Sequence, residues 1–245
     1  MRRAPPAIER EGIVVGKLDY GEQDRILRIL TPDAGRVAVL ARNARAARSR
    51  LAAVDLAARV RFQAREGELA TLVSAEVLDG RLNLRRGLGR LAVAAYACEL
   101  CGALAREHHG EPRLYGLLET ALLLLDAAGA DPGAAFVAGL EAKALTFAGV
   151  APALDHCVRC GGPPEAWMRF APAGLVHAHC DDGEERTIAM SADFAAALEG
   201  ARRLPLREAL DAPLPEGPTD ALHRAACAHV GRALPSRAVL DALLH

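Results

Sequence analysis

"EGIVVGKLDYGEQDRILRILTPDAGRVAVLAR" occupies residues 11–42. It holds three short runs rich in Ile, Val and Leu: Ile13–Lys17, Arg25–Leu30 and Arg36–Ala41. Turn signals separate them at Asp19–Gly21 and Pro32–Gly35, which is the punctuation of a strand meander. Two more runs follow in "ARVRFQAREGELATLVSAEVLD", Ala58–Ala64 and Leu69–Val77, joined through Glu66-Gly67. Val60, Phe62 and Ala64 alternate with Arg59, Arg61 and Arg65, as in a half-buried strand. Five short strands in about seventy residues predict a small barrel such as an OB-fold.

From about residue 84 the period lengthens. "LGRLAVAAYACELCGALAREHH", "PRLYGLLETALLLLDAAG" and "PGAAFVAGLEAKALTFAGV" are Ala/Leu-rich helices, each ending near a Gly. A Cys/His segment at 155–187 interrupts them. Helices resume at "SADFAAALEGARRL", with Ser191 as its N-cap, and finish with "TDALHRAACAHVGRAL" and "SRAVLDALL". The expected architecture is α+β and multidomain. An OB-fold barrel over 1–80 precedes an all-α domain over 81–154 and 188–245, which carries a small zinc-knuckle insert at 155–187.

The chain has 245 residues, 51% of them apolar, enough for one to three compact domains. "LAVAAYACELCGALA" is its nearest approach to a membrane span and is too short, so no membrane role is expected. The N-terminus lacks the apolar stretch of a signal peptide, and a cytoplasmic location is the expectation. Six Cys then read as thiols or metal ligands. Net charge is −1, yet residues 1–90 carry 18 Lys and Arg against 11 Asp and Glu, while the remainder carries 12 against 20. A basic first third suggests an anionic partner.

"CVRCGG" at 157–162 supplies two ligands from one tight turn, with Gly161-Gly162 permitting close backbone approach. "HAHC", ending at Cys180, supplies the rest. His177 repeats the two-residue spacing to Cys180, whereas His179 adjoins Cys180 and needs another geometry. The expected set is Cys157, Cys160, His177 and Cys180, with His179 as the alternative to His177. Four protein ligands leave no position for water, so the implied Zn2+ is structural. Trp167, the only Trp, lies inside this segment and reads as cover for the metal or a small apolar cluster.

"ARNARAARSR" at 41–50 places Arg42, Arg45, Arg48 and Arg50 in a stretch with no acid between Asp33 and Asp55. Such a loop leaving a barrel strand can contact successive phosphates. Tyr20 and Phe62 are the few candidate stacking residues here, so the expectation is backbone binding with little sequence preference. Other patterns carry less. Cys98 and Cys101 sit in a helical run and read as core thiols, as does Cys227. Gly87–Ala92 fits a dinucleotide fingerprint in spacing but has no preceding strand. His108 and His109 end a helix, where a cation suits the dipole. No P-loop, nucleophile elbow or His-Glu-x-x-His occurs.

Residues 11–51, with Glu11-Gly12, Asp19-Tyr20-Gly21-Glu22, Asp24-Arg25 and the Gly35 to Arg45 run, resemble the N-terminal domain of the RecO family. "TFAGVAPALDHCVRCG" resembles the segment entering that family's zinc region. The resemblance implies an OB-fold, a helical domain and often a zinc insert, and no enzyme activity. It implies a DNA-binding recombination mediator that anneals complementary strands and, with RecR, helps load RecA on SSB-coated DNA, close to the nucleoid. It implies binding of single- and double-stranded DNA on a basic face of Arg25, Arg36, Arg42, Arg45, Arg48 and Arg50. His177 stands where many members have a third Cys. The family also captures the SSB C-terminal tail on its helical domain, for which Lys143, Arg232 or Arg237 are the available cations. Two other classes are a zinc hydrolase or deaminase using Asp155 or Glu165, and a zinc-containing interaction scaffold.

Overall fold

A computed structural model describes residues 6–46, 49, 51, 53–183 and 186–244. Arg48 and Arg50 lie outside the described residues. The five expected strands are present and longer: β1 (Ala7–Tyr20), β2 (Asp24–Thr31), β3 (Gly35–Ala41), β4 (Arg59–Arg65) and β5 (Ala70–Asp79). They close into a barrel of order β1-β2-β3-β5-β4. All neighbours are antiparallel except β3 and β5, which pair in parallel through Val39↔Ala70 and Leu40↔Thr71.

Closure depends on β1. Its first half pairs with β4 and its second half with β2, and the change of partner falls at a bulge between Val14 and Gly16. A bulge raises local twist and bends the strand, which lets one strand serve two sides of a barrel. Gly12 lies at the tightest point, where a Cβ would come within 2.7 Å of the Leu30 carbonyl oxygen. The barrel is filled by Val14, Leu27, Ile29, Val39, Val60 and Phe62. Alternation along β4 is as expected, with Val60, Phe62 and Ala64 inward and Arg59, Arg61 and Arg65 outward.

Contacts divide the chain into two units, Met1–Gly87 with Ala94–Ala127 and Leu88–Val93 with Ala128–His245. The first holds the barrel, a 3₁₀ turn at Leu82–Arg86, most of α1 (Leu88–Leu104) and α2 (Pro112–Ala127). Gly35 opens β3 with φ +61°, and a Cβ there would lie 2.2 Å from the Arg106 carbonyl oxygen, so the β2–β3 turn abuts the chain after α1. The second unit holds α3 (Ala134–Phe147), α4 (Ala192–Arg203), α5 (Ala221–Val230) and α6 (Ser236–Leu244). Ser191 caps α4 as expected, its hydroxyl accepting from the Phe194 N–H at 3.2 Å.

The Cys/His segment is more ordered than a knuckle loop. It lies within a four-stranded sheet of order β6-β8-β7-β9, formed by β6 (Ala153–Cys157), β7 (Trp167–Ala171), β8 (Gly174–Val176) and β9 (Ile188–Ser191). Met168, Phe170 and Met190 bury one face of it. Trp167 stands 68% exposed, so it covers neither a metal nor an apolar cluster. Among the described residues no helix is long and apolar enough to cross a membrane.

Candidate nucleic-acid face and metal centre

Strand register sorts the expected arginines by place. Arg25, the second residue of β2, lies opposite Ala41 at the end of β3, so Arg25, Arg42 and Arg45 share one end of the barrel. Arg36 pairs with Leu30 near the other end of β3. Five residues at ~3.3 Å each separate it from Ala41, about 17 Å. Its guanidinium donates to the Gly102 carbonyl and to Glu107, both at 2.9 Å, and so braces the chain around the end of α1.

At the first end one acid serves two cations. Asp19 accepts from Arg25 at 2.9 Å and lies 3.4 Å from Arg45. The Arg25 hydrogen bond, more than the weak burial opposing it, holds the Asp19 carboxyl below its ordinary value. Arg42 is exposed and has no ion pair among the described residues. Arg28, on the outer face of β2, is likewise exposed and without one. It is absent from the sequence-derived set, although the alternation Leu27-Arg28-Ile29 was the signal that it faces out. Arg59 and Arg61 are neutralised instead, pairing with Glu11 at 3.1 and 2.8 Å, and Arg61 also with Glu76 at 3.3 Å.

In the second unit Cys157 ends β6, Cys160 follows in its turn, and His177 and Cys180 flank a 3₁₀ turn after β8. Gly161 takes φ +75°, and its N–H donates to the Cys157 carbonyl at 2.8 Å to close that turn. Ligand atoms of Cys157, Cys160, His177 and Cys180 lie within 4.8 Å of one another. A tetrahedral ion with bonds of about 2.3 Å requires donors about 3.8 Å apart. The set therefore fits a metal ion after small side-chain shifts.

The surroundings suit thiolates. Burial pushes the Cys157 thiol up, but N–H groups of Cys160, His177 and Arg159 more than offset it, leaving it at about 6. His177 directs Nδ1 to Cys160 Sγ at 3.3 Å, while Nε2 donates to the Pro163 carbonyl at 3.0 Å. That second contact fixes the tautomer and ring orientation, as an outer partner does for a ligating histidine. His179 stacks on the His177 ring at 5.0 Å and is exposed. The geometry thus brings His177 to the three cysteines and groups His179 with Glu165 and His177. Asp155 points its carboxylate at His156 Nδ1, 2.7 Å away. Cys98 and Cys101 are fully buried, and desolvation pushes Cys98 up to about 12, as inert core thiols require.

The fold defines the class as an OB-type barrel followed by helices that carry a cysteine-bearing sheet. Residues 5–81 match the family model described as "Recombination protein O N terminal", and residues 85–238 match "Recombination protein O C terminal". The chain belongs to the RecO family of DNA repair proteins. A protein named DNA repair protein RecO from Anaeromyxobacter dehalogenans strain 2CP-C is 37% identical over 245 residues, covering 96% of each chain. Its namesake from Myxococcus xanthus strain DK1622 is 34% identical, covering 84% of this chain and 83% of its own. That from Symbiobacterium thermophilum is 36% identical, covering 79% and 78%.

Proposed function

We propose that this protein binds DNA through the Arg25, Arg42 and Arg45 end of its barrel, together with Arg48 and Arg50 of the same basic stretch of sequence, and acts without catalysing a covalent step. In this reading it anneals complementary strands and, with RecR, helps load RecA on SSB-coated DNA in the cytoplasm. The supporting observation is a basic barrel end in a chain of the RecO family. Arginines there would screen the repulsion between two phosphate backbones while bases pair. Arg36 is left out of the face because its guanidinium is committed within the first unit.

The Cys₃His set would hold Zn2+ as a cross-link between the β6 turn and the turn after β8. Four protein donors fill a tetrahedron, which supports a structural ion. Lys143 donates to the Arg202 carbonyl at 2.6 Å, and Arg237 is buried among Glu141, Asp241 and the Thr219 carbonyl. Of the three cations considered for the SSB tail, only Arg232 is exposed.

Annealing of two complementary oligonucleotides, followed by fluorescence, tests the reading. The protein should accelerate it, and about four Arg–phosphate contacts predict a log–log salt slope near −3 on single strands. Replacing Arg42, Arg45, Arg48 and Arg50 by Ala should flatten that slope. An unchanged slope removes the loop from the mechanism.

A further inference from the structure

At the other end of the barrel, within the first unit, a cavity of about 420 Å³ opens between β3 and the β4–β5 connection. The strand ladder explains the opening. β5 pairs with β3 only from Val39↔Ala70 onward, and a register shift between Gln63 and Ala64 bends the end of β4. Arg36, Val37 and Ala38 are thereby left facing residues 66–69 across a gap. Buried Phe62 and Ala64 form the floor, and half-buried Ile8, Val37 and Ala70 form the walls. The Arg36 N–H donates at 3.0 Å to the Arg106 carbonyl on this edge of β3. Backbone groups alternate in direction along a strand, so the Ala38 N–H points to the same edge, ahead of the first pair with β5.

We propose that this mouth of the barrel is a docking site for an extended peptide of a protein partner, one that carries an apolar side chain between two Lys or Arg. The apolar side chain fills the cavity over Phe62, the cations meet Glu66 and Glu68, and a main-chain carbonyl accepts from the Ala38 N–H. Charge decides the occupant. Both arginines that line the mouth are taken, Arg10 by Asp33 at 3.2 Å and Arg36 by Glu107 at 2.9 Å. Glu66 and Glu68 are exposed and have no ion pair among the described residues. The surplus at the mouth is therefore negative, and exposed His108 is the remaining titratable group there. Such a rim repels a nucleic acid, and the basic end lies about 17 Å away along β3, so DNA and peptide do not compete. A small neutral apolar molecule would leave the carboxylates and the N–H unmatched. A strand edge beside a side-chain cavity suits an added peptide, whose main chain gives affinity while the cavity gives specificity. The proposal stands apart from the DNA-binding reading and uses none of its arginines.

Three labelled pentapeptides test this by fluorescence anisotropy at about pH 8, above the ordinary imidazole range. They are Lys-Ala-Leu-Ala-Lys, Glu-Ala-Leu-Ala-Glu and Lys-Ala-Ser-Ala-Lys, in which alternate side chains share one face of an extended chain. The parent protein should bind the first more tightly than the serine peptide by about 10- to 150-fold, the range for burying one leucine side chain. The glutamate peptide should bind more weakly than the first. Glu66→Gln with Glu68→Gln, both at exposed positions, should weaken the first peptide by about 2- to 30-fold, the range for two exposed ion pairs. That double variant should keep the salt slope of the parent on single-stranded DNA. In the parent, the amide resonances of Ala38 and Gly67 should shift as the first peptide is added. Equal binding of the three peptides, an unchanged affinity in the double variant or unmoved amides would each overturn the proposal. The salt slope on DNA judges the DNA-binding reading separately, so either can fail without the other.

Discussion

At the scale of single residues, His177 and His179 show how little separates a candidate ligand from its neighbour. Both lie in "HAHC", and spacing alone left either able to complete the set. The turn after β8 aims His177 Nδ1 at Cys160 and ties Nε2 to the Pro163 carbonyl, which favours His177 as the fourth donor of the proposed site. Cobalt-substituted protein should show the absorption of a tetrahedral thiolate site. His177→Ala should weaken cobalt binding by tenfold or more on the order-of-magnitude scale of lost ligands and their outer partners, and His179→Ala should leave the spectrum in place. The opposite pattern would transfer the ligand role to His179. Cys157 and Cys160 were legible because a two-residue spacing before Gly-Gly fixes local geometry. The Pro163 carbonyl was not, since nothing in its sequence context marks a backbone oxygen as a partner.

Among the elements, the strands were easier to read than the sheet that bears the metal set. Alternating apolar residues and turn dipeptides located β1 to β5, missing chiefly the length of β1, which runs on because a bulge lets it serve two neighbours. β6 to β9 are only three to five residues each, too short to carry a period. Helix α3 poses a different case. "AAFVAGLEAKAL" reads as an ordinary Ala/Leu helix, yet its Glu141 is fully buried and hydrogen-bonded to Arg237 of α6. Glu141→Ala leaves the Arg237 guanidinium 5% exposed with less compensation, and removing one partner of a buried pair costs about 3–5 kcal/mol. Asp241 and the Thr219 carbonyl remain on Arg237, which places the loss near the lower figure. Urea denaturation would measure it. Glu141→Leu with Arg237→Met should recover most of the lost stability, because an apolar pair of similar volume needs no desolvated charge.

For the whole molecule, charge is the organising quantity. The excess of Arg in the first third is real in the sequence, but the fold spends much of it on Glu11, Asp19, Asp55, Glu76 and Glu107. Glu11 is held down chiefly by hydrogen bonds from Arg61 and Arg59, and Asp19 by Arg25. At Asp55 burial pushes the carboxyl up, but Lys17, the Leu56 N–H and Arg85 more than offset it. Each group releases its proton more readily folded than unfolded. The stability they contribute is fully present above the ordinary values of 3.8 for Asp and 4.5 for Glu, and is lost as pH falls through the lower folded values. The urea midpoint should therefore drop on acidification below about pH 4. Asp55→Asn should be less stable than the parent at neutral pH, with the gap closing toward about pH 3. A gap that stayed constant with pH would remove Asp55 from the acid response.

The sequence by itself determined the barrel, the helices and the three cysteines that the fold gathers beside His177, because strand alternation, helix caps and close residue spacing are local properties of a chain. It determined the basic stretch as composition. Only the tertiary structure decided which arginines remain free. Arg36 and Arg61 are consumed by acids distant in the chain, while Arg28 is left open on the outer face of β2. Electrostatic and apolar surfaces are sums over neighbours in space, and strand register, set by the closed barrel, chooses those neighbours.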